Sequence, residues 1–171
     1  MAALKTGWSP SNTRPELAQE LVESIASDPS SYLKLSDDID GEGPPVTLPD
    51  GSQTKRLPGI VRWIWQDGFC GVISLRWQKG KMELPPTCLG HVGYAVVPWR
   101  RQEGLATAAL IELLPIAQSF DLSYVDLTVD PDNRASQRVI EKVGGRRLST
   151  FPKPDAYDAS KTWLYRIDTC L

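Results

Sequence analysis

The run Val96-Val97-Pro98-Trp99-Arg100-Arg101-Gln102-Glu103-Gly104-Leu105-Ala106-Thr107 constrains the fold of this chain more than any other stretch. It follows a strand-like segment, His91 to Val97, and leads straight into a helix-like one, Ala106 to Leu114. A strand that breaks at a proline and re-enters as a helix leaves the first N–H groups of that helix unpaired. Those donors, with the positive end of the helix dipole, form a site for a phosphate or pyrophosphate. Gly104 and Ala106 have absent or small side chains, so a ligand can lie directly on the backbone. Arg101 adds a fixed positive charge. The plain alternative is a tight turn that needs small residues for packing alone.

Around this run the chain reads as a single domain over residues 1–171, long enough for a full core. Pro15 to Ser27 carries Leu17, Leu21, Val22 and Ile25 at helical spacing, with Thr13 as cap and Pro15 early in the helix. Tyr32, Leu33 and Leu35 suggest a second short helix. Asp37 to Pro58 is rich in Asp, Gly and Pro and reads as a long loop. Ile60 to Gln66 and Phe69 to Trp77 are strand-like and joined by Asp67-Gly68, a hairpin signal. Gln78 to Leu89 is a further loop, and Pro115 is expected to kink or end the helix near Leu114 unless the backbone adjusts. Tyr124 to Val129 alternates as a strand, and Asn133 caps a helix through Lys142 that stops at Gly144-Gly145. A Pro-rich connector at Phe151 to Pro154 precedes a last strand, Trp163 to Ile167. This order predicts an α/β domain with a mixed sheet.

Net charge is −2 and no segment carries a basic stripe; Arg100-Arg101 and Arg146-Arg147 are too short to count as one. Nucleic acid is therefore not an expected partner. Met1 to Pro10 has a polar Lys5 and no apolar core of a signal peptide. No apolar run approaches the roughly 20 residues that span a bilayer. Cys70, Cys88 and Cys170 are widely spaced, with no C-x-x-C pair, which argues against a disulfide framework and a zinc site. Asp130-Pro131-Asp132-Asn133 begins like a calcium loop but fails, because Arg134 and Ala135 stand where a ligand and a turn glycine are needed. The expectation is a cytoplasmic protein with free thiols, no membrane partner and no metal.

The spacing Val96-x-Pro98-x-x-Arg101-x-x-Gly104-x-Ala106 resembles the acyl-CoA pyrophosphate loop of the GNAT (Gcn5-related N-acetyltransferase) superfamily. Asn133-Arg134-Ala135-Ser136-Gln137-Arg138-Val139-Ile140-Glu141-Lys142-Val143-Gly144-Gly145 is similar to the family's Asn-x-x-Ser-x-x-Val-x-Glu-Lys-x-Gly segment. Gly90 to Val96 is similar to its fourth strand, so the resemblance covers roughly Gly90 to Thr150. It implies a GNAT-like acyl-CoA N-acyltransferase fold, α+β mixed, with a mostly antiparallel sheet flanked by helices. It also implies acetyl-CoA as cosubstrate, its pyrophosphate held by Arg101 and by the amides of Gln102, Glu103, Gly104, Leu105, Ala106 and Thr107. Val96 and Val97 would offer backbone bonds to the pantetheine arm and the acetyl carbonyl, where negative charge grows as an amine attacks. Asn133 serves as helix cap and, on the resemblance, also meets the CoA arm.

Catalysis needs a neutral amine and a proton for the leaving thiolate. Many members of the family place a Tyr for the second task where this chain has Ile140. In the branch resembling ribosomal-protein and small-amine acetyltransferases a Ser stands one turn earlier, which makes Ser136 the candidate proton donor or thiolate partner. The alternative for Ser136 is service to the helix cap. Tyr94 shares a strand face with Val92 and Val96 and can position a water or the amine. His91, the only histidine, falls on the other face unless a bulge resets the register. Glu83, or a water chain with no dedicated side chain, are the other candidate bases.

Trp63, Trp65, Trp77, Trp163 and Tyr165 can line a substrate cleft or build the core, and the core is the commoner use. Asp37 to Glu42 can steer a cationic amine or simply be a solvated loop face. The expected reaction is direct transfer of acetyl to a primary amine in a ternary complex. No Cys or Ser stands in a nucleophile context with a paired His, so no covalent intermediate is implied. The acceptor, a small molecule or a peptide N-terminus, has no motif; a protein N-terminal α-amine acetyltransferase is the alternative within enzymes. A non-catalytic CoA-binding regulatory module is the alternative outside them, and a homodimer follows only from fold-level analogy.

Overall fold

Asp67 and Gly68, at φ +53° and +135°, fold Gly59–Trp65 back onto Phe69–Arg76, the hairpin at the centre of the computed structural model. The structure describes residues 2–11 and 17–170; Thr13 and Pro15 lie outside them. In chain order the elements are α1 (Ala2–Lys5), α2 (Leu17–Ser27), α3 (Pro29–Lys34), β1 (Asp37–Asp38), β2 (Val46–Thr47), β3 (Gln53–Thr54), β4 (Gly59–Trp65) and β5 (Phe69–Arg76). There follow β6 (Val92–Val96), α4 (Leu105–Ser119), β7 (Tyr124–Val129), α5 (Arg134–Lys142), β8 (Arg146–Pro152) and β9 (Lys161–Asp168). Among the described residues every strand pairing is antiparallel.

The strands form a four-stranded sheet, β1-β4-β5-β6, and a three-stranded sheet, β7-β9-β8, with β2-β3 as a separate pair. α4 covers one face: Leu110, Leu113, Leu114 and Ala117 pack with Ile60, Ile73, Leu75 and Val92 from the first sheet and Val125 and Leu127 from the second. On the opposite face Ala3 and Trp8 close over Ala95, Val97, Phe69 and Val72.

The two larger sheets are joined at one point by the histidine. The His91 amide donates to Asp126 O (2.7 Å), and the Asp126 amide donates to His91 Nδ1 (3.0 Å). With Nδ1 an acceptor, Nε2 carries the proton and donates to Met82 O (3.0 Å). Beyond this joint β6 and β7 share no ladder, and a wedge opens between them. Burial pushes the His91 pKa below its ordinary value, with the Asp126 charge opposing. The unfolded chain therefore takes up a proton near pH 6.5 and the folded ring only at lower pH. Stability is full above that value and is lost as pH falls through the window. Thermal melts from pH 7 to 5 should show a falling midpoint. His91→Leu should flatten that slope while costing about 1–3 kcal/mol for each backbone group it orphans.

Three local readings differ from the sequence expectation. α4 runs through Pro115 to Ser119 rather than stopping at Leu114. The missing N–H would have bonded to the Ile111 carbonyl; Ile111 is 47% exposed, so water can satisfy that group while Leu113, Leu114 and Ala117 hold the helix on the core. Arg146–Pro152 is a strand, which the sequence hides because its residues are exposed apart from a half-buried Phe151. The loop at 37–58 carries three short strands and a buried Leu48.

Candidate active site

After Val97 the chain makes one 3-10 turn, Pro98–Arg100, and Arg101 returns to extended backbone at φ −73°, ψ 157°. Gln102 (φ +67°) and Gly104 (φ +81°) are left-handed, with Glu103 between them at negative φ. Backbone of alternating hand turns successive N–H groups into one concave nest that suits an anion. None of the amides from Gln102 to Thr107 has a hydrogen-bond partner among the described residues; the first helix-closing bond is Ala108 N–H to Gly104 O at 3.0 Å. A Cβ at Gly104 would meet nothing within 4 Å, so its left-handed φ, not a clash, is what demands glycine. Arg100 Nε donates to the Glu103 carboxylate (2.9 Å) and Nη1 to Gln66 O (2.8 Å), which ties the loop to the β4–β5 turn. Arg101 lies back along the strand, its Nε donating to Val96 O at 3.3 Å.

The ladder decides which strand residues can offer backbone groups. Val97 N–H donates to Cys70 O and Arg76 N–H to His91 O, both at 2.9 Å. By antiparallel alternation, Gly93 and Ala95 turn their backbone groups toward β5, while Val92, Tyr94 and Val96 turn theirs into the wedge. The Val97 amide, expected to face the cosubstrate, donates to Cys70 instead, and its carbonyl accepts from the Arg100 amide (3.0 Å). Val96 keeps the outward edge, with Tyr94 beside it.

The wedge holds a cleft of about 130 Å³ lined by Val92, Gly93 and Tyr94 on one side and Leu127 to Asp130 on the other, with Asn133, Ser136 and Lys153 at its rim. Tyr94 and Ser136, which lie far apart in sequence, meet across it: the two hydroxyls are 2.7 Å apart, and the Tyr94 hydroxyl is 3.3 Å from Ser136 O. This puts the Tyr94 hydroxyl against the first turn of α5. Burial pushes the Tyr94 phenol up to about 12, so it keeps its proton at neutral pH. Asn133 Oδ1 accepts from the Ser136 amide (3.1 Å), which caps α5 and leaves its NH₂ group for a ligand.

His91 is 1% exposed with both ring nitrogens engaged, so no base is available there. Glu83 is exposed and does not line the cleft. Ile140 is fully buried in the core. Of the aromatic set, Trp77 and Tyr165 are core residues, Trp163 packs partly against the core, and Trp63 and Trp65 face outward at 49% and 66% exposure. The acidic run is satisfied locally: Asp37 pairs with Arg62, Asp40 with Lys79, and Asp38 accepts from the Glu42 and Gly43 amides. Lys153 was not singled out by the sequence because it sits in a connector without a motif; it is 8% exposed and pairs with Asp130 at 2.8 Å.

A family model described as the acetyltransferase (GNAT) domain matches residues 10–146. No curated protein matches the chain at a significant level. Among solved structures, Mycobacterium smegmatis RimJ in complex with CoA-disulfide is similar with a TM-score of 0.56 and 21% identity, over 95% of this chain and 69% of that one. RimL, a ribosomal L7/L12 alpha-N-protein acetyltransferase in complex with coenzyme A, gives 0.51 and 15% over 64% and 62%. The microcin C7 self-immunity acetyltransferase MccE, in complex with acetyl-CoA and AMP, gives 0.50 and 14% over 64% and 61%. The chain thus spans about three fifths of the length of several structures it matches, and at these identities the likeness is one of fold.

Proposed function

The chain belongs to the GNAT acetyltransferase family, and from that premise we propose that it transfers the acetyl group of acetyl-CoA to a primary amine by direct attack in a ternary complex. The observation that carries this is the unpaired amide nest, Gln102 to Thr107, standing at the open end of the outward edge of β6. The residues present fit the cosubstrate. The nest and the α4 N-terminus take the pyrophosphate. The outward N–H and C=O groups of Tyr94 and Val96 take the pantetheine amides as a strand takes its neighbour, and the Asn133 NH₂ adds a donor.

Two chemical tasks remain. The amine must lose a proton before it attacks; with His91 engaged and Glu83 off the cleft, water serves as the carrier. As the C–N bond forms and the C–S bond breaks, the thiolate needs a proton. With the phenol of Tyr94 as donor to Ser136 Oγ, one of the two directions their 2.7 Å contact allows, the Ser136 proton is free to point at the sulfur. Ser136 hands over that proton and recovers one from Tyr94, which refills from solvent.

Calorimetric titration with acetyl-CoA tests the reading, with a micromolar dissociation constant expected; absence of binding would sink it. Arg101 supplies a second check. Its guanidinium must leave Val96 O before pantetheine can bind there, and the pyrophosphate is what draws it away. Arg101→Ala should weaken acetyl-CoA about fivefold, roughly 1 kcal/mol. Acetyl-pantetheine, which has no pyrophosphate, should bind the variant at least as well as the native protein. Equal losses for both ligands would contradict this placement of Arg101.

A further inference from the structure

Among the described residues four arginines are half-buried: Arg56, Arg76, Arg100 and Arg166. Three are matched to a carboxylate, Asp38 (3.8 Å), Glu103 (2.9 Å) and Asp126 (2.7 Å) respectively. Arg76 has none. Among the described residues its guanidinium has one hydrogen-bond partner, Ser74, whose Oγ accepts from Nη2 at 2.8 Å and donates in turn to Gly93 O at 3.2 Å. A guanidinium cannot shed its charge, and partial burial without a counter-ion is unfavourable. The cation that lines the cleft itself, Lys153, is already neutralised by Asp130.

The position of Arg76 matters as much as its charge. A Cβ on Gly93 would come within 3.0 Å of Nη2, so the guanidinium lies over the one position of β6 that has no side chain. Gly93 also lines the wedge cleft, and its neighbour Tyr94 points to the opposite face, toward Ser136. Tyr157, in the β8–β9 connection, stands near enough for the Arg76 charge to act on its phenol, and its hydroxyl donates to Thr87 O at 2.9 Å. An unmatched cation therefore stands over Gly93 on the face of β6 away from α4, and Gly93 is the strand neighbour of Val92 and Tyr94, whose backbone faces the wedge.

We propose that Arg76 receives the anionic group of the acceptor, so that the substrate class is an amine carrying a carboxylate within a few bonds, as in an amino acid or a very short peptide. This rests on the acetyltransferase reading above. A planar guanidinium with unused donors takes a carboxylate in a forked pair, which both holds and orients it. The amine then reaches past Gly93 to the thioester carbonyl on the outward edge of β6. A polyamine or an amino sugar would bring positive charge against the guanidinium.

The test compares kcat/KM for amino acids and their carboxamides, side chain for side chain, in the native protein, Arg76→Gln and Arg76→Lys, with acetyl-CoA affinity measured in each. The native protein should favour the free acid by at least about tenfold. Arg76→Gln should bring that ratio close to one, and Arg76→Lys should restore part of it. A native ratio near one, an unchanged ratio in Arg76→Gln, or no turnover of either member would each overturn the assignment. If acetyl-CoA binds normally in those cases, only the assignment of Arg76 fails. Loss of acetyl-CoA binding by the native protein would mean that the acetyltransferase reading has failed first.

Discussion

Gly104→Glu should weaken acetyl-CoA binding by at least about a hundredfold while the protein stays folded. Two effects combine. At φ +81° an L residue is strained by about 1–2 kcal/mol, and the nest relaxes out of its concave shape. The new carboxylate then stands among amides that await an anion, and each charge-assisted bond it displaces is worth about 1.5–3 kcal/mol. Open space around the missing Cβ means that no packing is broken, so the melting midpoint should fall by only a few degrees. Gly104→Ala carries the strain without the charge and should lose about tenfold. Native-like affinity in Gly104→Glu would place the pyrophosphate elsewhere.

The second large effect concerns the hydroxyl pair. Ser136→Ala removes the group proposed to protonate the thiolate, and Tyr94→Phe removes the group that orients and refills it. A positioned acid contributes about 10²–10⁴-fold, so either variant should lower kcat by about a hundredfold with little change in acetyl-CoA affinity. The double variant should be no worse than the poorer single one, because the two act as a unit. With Tyr94 held near 12, no activity limb between pH 6 and 9 should belong to its ionisation. Additive losses in the double variant would show that the residues work separately.

The strand-to-helix loop at 98–107 was legible in the sequence because its shape is written in backbone requirements. Pro98 ends the strand, Gly104 takes a left-handed φ, and a helix starts at once. Asn133 was legible for a similar reason, since a cap acts on the next few residues. The Tyr94–Ser136 pair was not, although each residue was singled out alone; their contact depends on how far β6 and β7 diverge, which no local pattern encodes. The backbone of Val97 shows a limit of strand alternation. Alternation tells which face a side chain takes, but which edge the backbone offers depends on the register with β5. β8 stayed hidden because an edge strand exposed on both faces has no hydrophobic period. Arg76 carries no signal of its own: an unpaired arginine is recognised only when its neighbours are known.

Direct passage of acetyl from the cosubstrate to an amine, as proposed, is distinguished from other routes by measuring thiol release against product formation. Protein and acetyl-CoA should be mixed first without acceptor, then with amino acids, polyamines, amino sugars and peptides in turn, following free thiol and the intact mass of the protein. No thiol release and no acetylated protein are expected before an amine is added, then one acetylated amine for each thiol released. Acetyl-CoA that binds but is never turned over with any amine, or a protein that becomes acetylated before the acceptor arrives, would contradict it.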